Sequence, residues 1–100
     1  MDNQRHTPRV PFHEDVRLRK PTPMEAKGVD IGAGGIGVVL PEALPVGTQV
    51  EVEIFAGHAI ALGEIRWSAP TDDGFRTGIQ FRQEDWSIIE LVETLRSQEG

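Results

Sequence analysis

Along most of the chain, apolar and polar residues alternate with a period of two, and the period becomes helical only at the end. Val16 and Leu18 alternate with Arg17 and Arg19, the signature of a half-buried strand, and Pro21 and Pro23 end it. A second strand is predicted over residues 24–31, delivering Asp30 at its end, and a third over 36–40. Residues 41–47 read as loop. Val50, Val52 and Ile54 against Glu51 and Glu53 make the fourth strand the clearest of all. In the long fifth strand, Ile60 and Leu62 share one parity, whereas Ile65 and Trp67 share the other. A one-residue slip at or near Gly63 would bring all four to one face, so a β-bulge is predicted there. Asp72-Asp73-Gly74 marks a turn into a sixth strand, hairpin-paired with the fifth, in which Phe75, Thr77, Ile79 and Phe81 alternate with polar residues and glycine.

Ile88, Leu91, Val92 and Leu95 then fall at i, i+3, i+4 and i+7, one helical stripe. Glu84 and Asp85 stand where capping and the helix dipole favour acids, and Trp86 is expected to pack the first turn onto the strands. The expected fold is mainly β: a small six-stranded antiparallel β-barrel with a C-terminal α-helix. Residues 1–12, polar and holding two prolines, read as a flexible N-terminal arm, and residues 13–100 as a single barrel domain.

One hundred residues suit one domain, burying roughly 65% of the surface its unfolded chain exposes. No apolar run approaches the ~20 residues of a membrane span, and the start lacks a signal-peptide core, so a cytoplasmic protein without membrane insertion is expected. With no cysteine, a disulfide framework and a thiolate metal site are excluded. The net charge of −6 is unevenly spread: residues 1–20 hold five basic and three acidic side chains, 21–82 four against eight, and 83–100 one against five. Such an acidic chain is repelled by the phosphate backbone, so neither DNA nor RNA is an expected partner. His6, His13 and His58 lack metal-ligand spacing, and no pairing of serine, histidine and acid points to catalysis. The reading is a protein that is not an enzyme and carries no cofactor.

Two short stretches hold the remaining chemistry. Arg5 and Arg9 lie four apart with Pro8 between them, which rules out a helix face and suits a segment that wraps a ligand. Guanidinium matches phosphate oxygens and the O6/N7 edge of guanine. The opposite guanine edge offers N–H donors, for which the carboxylate of Asp30 is an acceptor. The glycines that follow, Gly32, Gly34 and Gly35, let backbone N–H groups approach a base or phosphate closely. Each stretch alone has a plainer reading, solvated charge for the arginines and a turn between strands for the glycines. Residues 32–37 also fit the dinucleotide fingerprint G-x-G-x-x-G, but a strand rather than a helix follows, so that match is rejected. Trp67 is read as a core or rim aromatic in preference to a base-stacking platform.

Taken in order, the two stretches resemble the PilZ domain family, whose pattern is R-x-x-x-R followed by [D/N]-x-[S/A]-x-x-G. Arg5, Arg9, Asp30 and Gly35 match; Gly32 stands where serine or alanine is usual. The resemblance extends over residues 4–97. It implies a bacterial second-messenger receptor that binds cyclic di-GMP through Arg5, Arg9, Asp30, Gly32 and Gly35. It further implies an arm that orders on binding, and a signal passed to a partner protein governing motility or biofilm output. The alternative is a PilZ-like adaptor that binds no nucleotide and acts only through protein–protein contact.

Overall fold

A computed structural model describes residues 9–54, 59–82 and 86–99. Seven strands and one helix follow in chain order: β1 (Arg9–Pro11), β2 (Asp15–Lys20), β3 (Met24–Gly32), β4 (Gly35–Leu40), β5 (Gln49–Ile54), β6 (Ala59–Thr71), β7 (Gly74–Phe81) and α1 (Trp86–Glu99). All pairings are antiparallel, in the order β1-β3-β2-β5-β6-β7-β4, and β3 also pairs with β4. That last pairing closes six strands, β2 to β7, into the expected barrel. β1 is an extra strand, paired with the end of β3 that β2 does not reach.

The alternation read from the sequence sorts the side chains. Val16 and Leu18, Val50, Val52 and Ile54, and Ile36, Val38 and Leu40 all point inward and are buried. The stripe on α1 holds too: Ile88 and Val92 join the barrel core, with Leu91 and Leu95 packed against it. The helix lies on β1 and β3. No helix among the described residues is long and apolar enough to cross a membrane. Residues 83–85 and the side chain of Trp86 lie outside the description, so the expectations for Glu84, Asp85 and Trp86 do as well.

Two features differ from the sequence reading. First, residues 9–11 stand in the sheet as β1, and Phe12 follows them into the core. Val10 and Phe12 are in the same buried cluster as Ile88 and Val92. Phe12 also donates its backbone N–H to Val29 at 3.0 Å. A strand of three residues is too short to show a period, which is why a boundary drawn after residue 12 leaves it in the arm. Phe12 explains Gly28 as well: a Cβ there would lie 2.5 Å from the Phe12 carbonyl oxygen and 2.8 Å from its ring.

Second, the fifth strand of the sequence reading, β6, does not bulge at Gly63. It alternates without a break from Ala59 to Ile65, so Ala59, Ala61, Gly63 and Ile65 face inward, and Ile60 (42% exposed) and Leu62 (49%) face out. Hydrophobicity misled because the interior is too tight there for a large side chain: a Cβ on Gly63 would lie 2.6 Å from Ile79 Cγ2. The irregularity falls between Ile65 and Trp67, where two steps along β6 meet one along β7. A matching irregularity lies in β3, where Gly28 pairs with Val38 but Asp30 pairs with Gly37, leaving Val29 as the extra residue.

Because Phe12 is a core residue, Phe12→Ala should cost about 3–5 kcal/mol, whereas Leu62→Ser should change stability by less than about 0.5 kcal/mol. Urea unfolding of both variants checks the pair. A Phe12→Ala protein as stable as wild type would detach residues 9–12 from the barrel.

Candidate functional site

Each irregularity re-aims one side chain. In β3, Ala26 and Gly28 face inward, so strict alternation would send Asp30 into the core; the extra residue at Val29 turns Asp30 outward and keeps Ile31 buried. In β6, strict alternation from Ile65 would send Trp67 inward. The extra residue at Arg66 leaves both Arg66 and Trp67 on the outer face, with Trp67 opposite Gly78.

Arg9 reaches the same face from β1. It sits opposite Gly32, with Val10 anchored in the core beside it, and crosses diagonally to Asp30. Its Nη2 donates to Asp30 Oδ1 at 2.7 Å, with the two side chains 43% and 31% exposed. The pair lies across the neighbouring strand because that strand offers no side chain: a Cβ on Gly37 would sit 2.6 Å from Asp30 Oδ1 and 3.8 Å from the Arg9 guanidinium. Gly78, opposite Gly37 on β7, likewise has no room for a Cβ, because the Trp67 indole lies on it. At Gly35 an added Cβ would run into the Ile79 carbonyl oxygen.

The outcome is a cleft of about 310 Å³ on the outer face of the barrel, walled by Arg9 and Asp30 at one end and Trp67 at the other. Gly35, Gly37 and Gly78 contribute to its floor, and Arg66, Arg76 and Gln80 complete the polar lining. Three guanidinium groups against one carboxylate make it locally cationic on a chain of net charge −6. Arg66 also faces Glu64 at 3.9 Å. The Nε of Arg76 is buried without a hydrogen-bond partner. A larger concavity, about 650 Å³, is lined by Asp15, Glu25 and Asp73 against Lys27 alone, the wrong balance for an anion. Among the described residues no group of three or more histidines and acids is placed to hold a metal ion.

Of the residues singled out in the sequence, Arg9, Asp30 and Gly35 line this cleft together. Gly32 does not line it; it is a buried, extended residue paired with both Arg9 and Gly35. Arg5 and His6 lie outside the described residues, as does His58. Sequence reasoning missed Arg66, Arg76 and Gln80, and placed Trp67 in the core or at a rim. The outward position of Arg76 and Gln80 followed from the alternation around Thr77 and Ile79. For Trp67, the clash of parity signalled a bulge in the strand but not its position, which only the pairing with β7 fixes.

The PilZ domain family model matches residues 3–95. No curated protein matches the chain. Among solved structures, the PilZ domain of YcgR from Escherichia coli, determined with c-di-GMP, has a TM-score of 0.63 at 14% sequence identity. That match covers 97% of this chain and 95% of the other. At such low identity the likeness carries the fold.

The Arg9–Asp30 pair is too exposed to matter for folding. A double-mutant cycle of Arg9→Ala and Asp30→Ala, read by chemical denaturation, should give a coupling below about 1 kcal/mol. A coupling well above that would make the pair a structural element.

Proposed function

The chain belongs to the PilZ domain family, and from that premise we propose that it is a receptor for cyclic di-GMP. One observation carries the reading: on an acidic protein, Arg9, Asp30 and Gly35 meet in a cationic cleft floored by glycine. A cyclic dinucleotide brings two phosphates and two guanines. Guanidinium groups suit the phosphates and the O6/N7 edge, and a carboxylate suits the N–H edge. Asp30 keeps Arg9 on the cleft before ligand arrives, so less ordering is left to do on binding.

Arg5 completes the clamp in this proposal. Four residues of chain span at most about 14 Å, so Arg5 stays within reach of a ligand held at Arg9. Ligand binding orders the residues that precede β1, and their new position is what a partner protein reads. The domain acts through that partner without catalysis of its own. The neighbour solved with c-di-GMP supports the ligand class. The adaptor alternative has an observation in its favour as well, since Ile60 and Leu62 leave an aliphatic pair exposed on β6. A folded protein that gives no heat with cyclic di-GMP would favour it.

Gly32 tunes the affinity. Serine there adds a hydroxyl on the face that Asp30 uses, two residues away. Positive φ among the described glycines occurs at Gly47 and Gly74, whereas Gly32 is extended strand that any residue adopts. Calorimetric titration with cyclic di-GMP should therefore show binding by the wild type and an affinity gain of up to about tenfold, ~1.4 kcal/mol, for Gly32→Ser. Arg9→Ala should lose ~1.5–3 kcal/mol, the scale of a charge-assisted contact. A Gly32→Ser protein that folds and binds nothing would contradict the receptor reading.

A further inference from the structure

Asp30 is aimed from behind the cleft. The peptide group that leads into it belongs to Val29, the inserted residue of β3, and β4 offers Val29 no partner in the register. An insertion of this kind disrupts the ladder and leaves the extra residue to be held from elsewhere. Here the segment between β1 and β2 holds it. Phe12 donates its N–H to the Val29 carbonyl at 3.0 Å, and the Glu14 carbonyl accepts from the Gly28 N–H at 2.8 Å. Phe12 closes over Gly28 so tightly that a Cβ there would lie 2.5 Å from its carbonyl oxygen and 2.8 Å from its ring. Phe12 itself is only 2% exposed, in the buried cluster that it and Val10 share with Ile88 and Val92 of α1.

The same residue governs the other half of the pair. β1 has three residues, ends in a proline without an N–H, and among the described strands pairs with β3 alone, Pro11 standing opposite Asp30. Backbone bonding this sparse does not fix Arg9; the anchored side chains of Val10 and Phe12 do. None of Phe12, Gly28 and Val29 lines the cleft. We propose that Phe12, seated on Gly28 and bonded to the inserted Val29, is a positioning residue for the ligand: it holds Asp30 and Arg9 in the geometry that meets ligand without touching ligand itself. The proposal rests on the receptor reading above and extends it to residues outside the cleft. Positioning of this kind shows in affinity, because a geometry that is not held in advance must be restored at the expense of binding.

Calorimetric titration with cyclic di-GMP, on variants shown to be folded by circular dichroism, separates positioning from stability alone. Phe12→Ala and Val52→Ala each open a cavity in the same buried cluster, and both should lower the melting temperature. Only Phe12→Ala should lose affinity, by about ten- to 150-fold, the range of one charge-assisted contact. Gly28→Ala pushes on Phe12 from β3 and should also weaken binding. Phe12→Leu refills the seat and should stay within about threefold of wild type. Should alanine at position 12 leave the chain unfolded, Phe12→Val and Gly28→Ala carry the comparison with Val52→Ala. Wild-type affinity in a folded Phe12→Ala or Gly28→Ala protein, or an equal loss in Val52→Ala, overturns the positioning role and leaves the receptor reading standing. No binding by folded wild type overturns both.

Discussion

The candidate site exists because two strands break their own alternation. An antiparallel strand with a buried face has no freedom of register, since a slip of one residue exchanges its core and solvent faces. Within that constraint, only an inserted residue brings out a side chain that alternation would bury. The insertion at Val29 does this for Asp30, and the one at Arg66 does it for Trp67. Both lie on the strands that flank β4 and β7, so the two re-aimed side chains face each other over the same pair of strands. The barrel core tolerates both insertions because alternation resumes at once: Ile31 is buried beyond the first, as is Thr77, opposite Ser68, beyond the second.

Between those walls the outer surface is flat because its strands carry glycine at the facing positions. Gly37 and Gly78 are paired with each other, and each gives up its side-chain space to a neighbour, the Arg9–Asp30 pair in one case and the indole in the other. Glycine in a strand interior weakens the sheet, by roughly 0.5–1 kcal/mol relative to alanine. A surface that accepts this cost twice at adjacent positions is shaped for something other than stability. Charge points the same way. The described salt bridges elsewhere, such as Arg19 with Glu51, join cations to the acids of the same surface, whereas the cleft gathers Arg9, Arg66 and Arg76 around a single Asp30.

The barrel was legible in the sequence wherever large residues alternated with charged ones, as in Val50, Val52 and Ile54, and wherever the period changed, as in the stripe from Ile88 to Leu95. It was not legible where the interior demanded small residues. In β6 the inward positions are Ala59, Ala61 and Gly63, and the conspicuous Ile60 and Leu62 are outside, so hydrophobicity pointed to the wrong face. The same strand did signal its irregularity through the clash of parity, but one position cannot be told from another without the partner strand. Arg9, Asp30 and Gly35 were legible through spacing and resemblance, because their chemistry is local. Arg76 and Trp67 were not: their meeting depends on the register between β6 and β7, which no short motif encodes.

The central claim is that ligand enters the outer-face cleft between the two bulges. Amide chemical-shift mapping during a titration with cyclic di-GMP tests it most directly. The account predicts shifts concentrated at Arg9, Asp30, Gly35, Gly37 and Gly78 and at the Trp67 indole N–H, with Ile60, Leu62 and the concavity beside Asp15 and Glu25 unmoved. Shifts centred on those last positions, or none anywhere in a folded protein at saturating ligand, would contradict it.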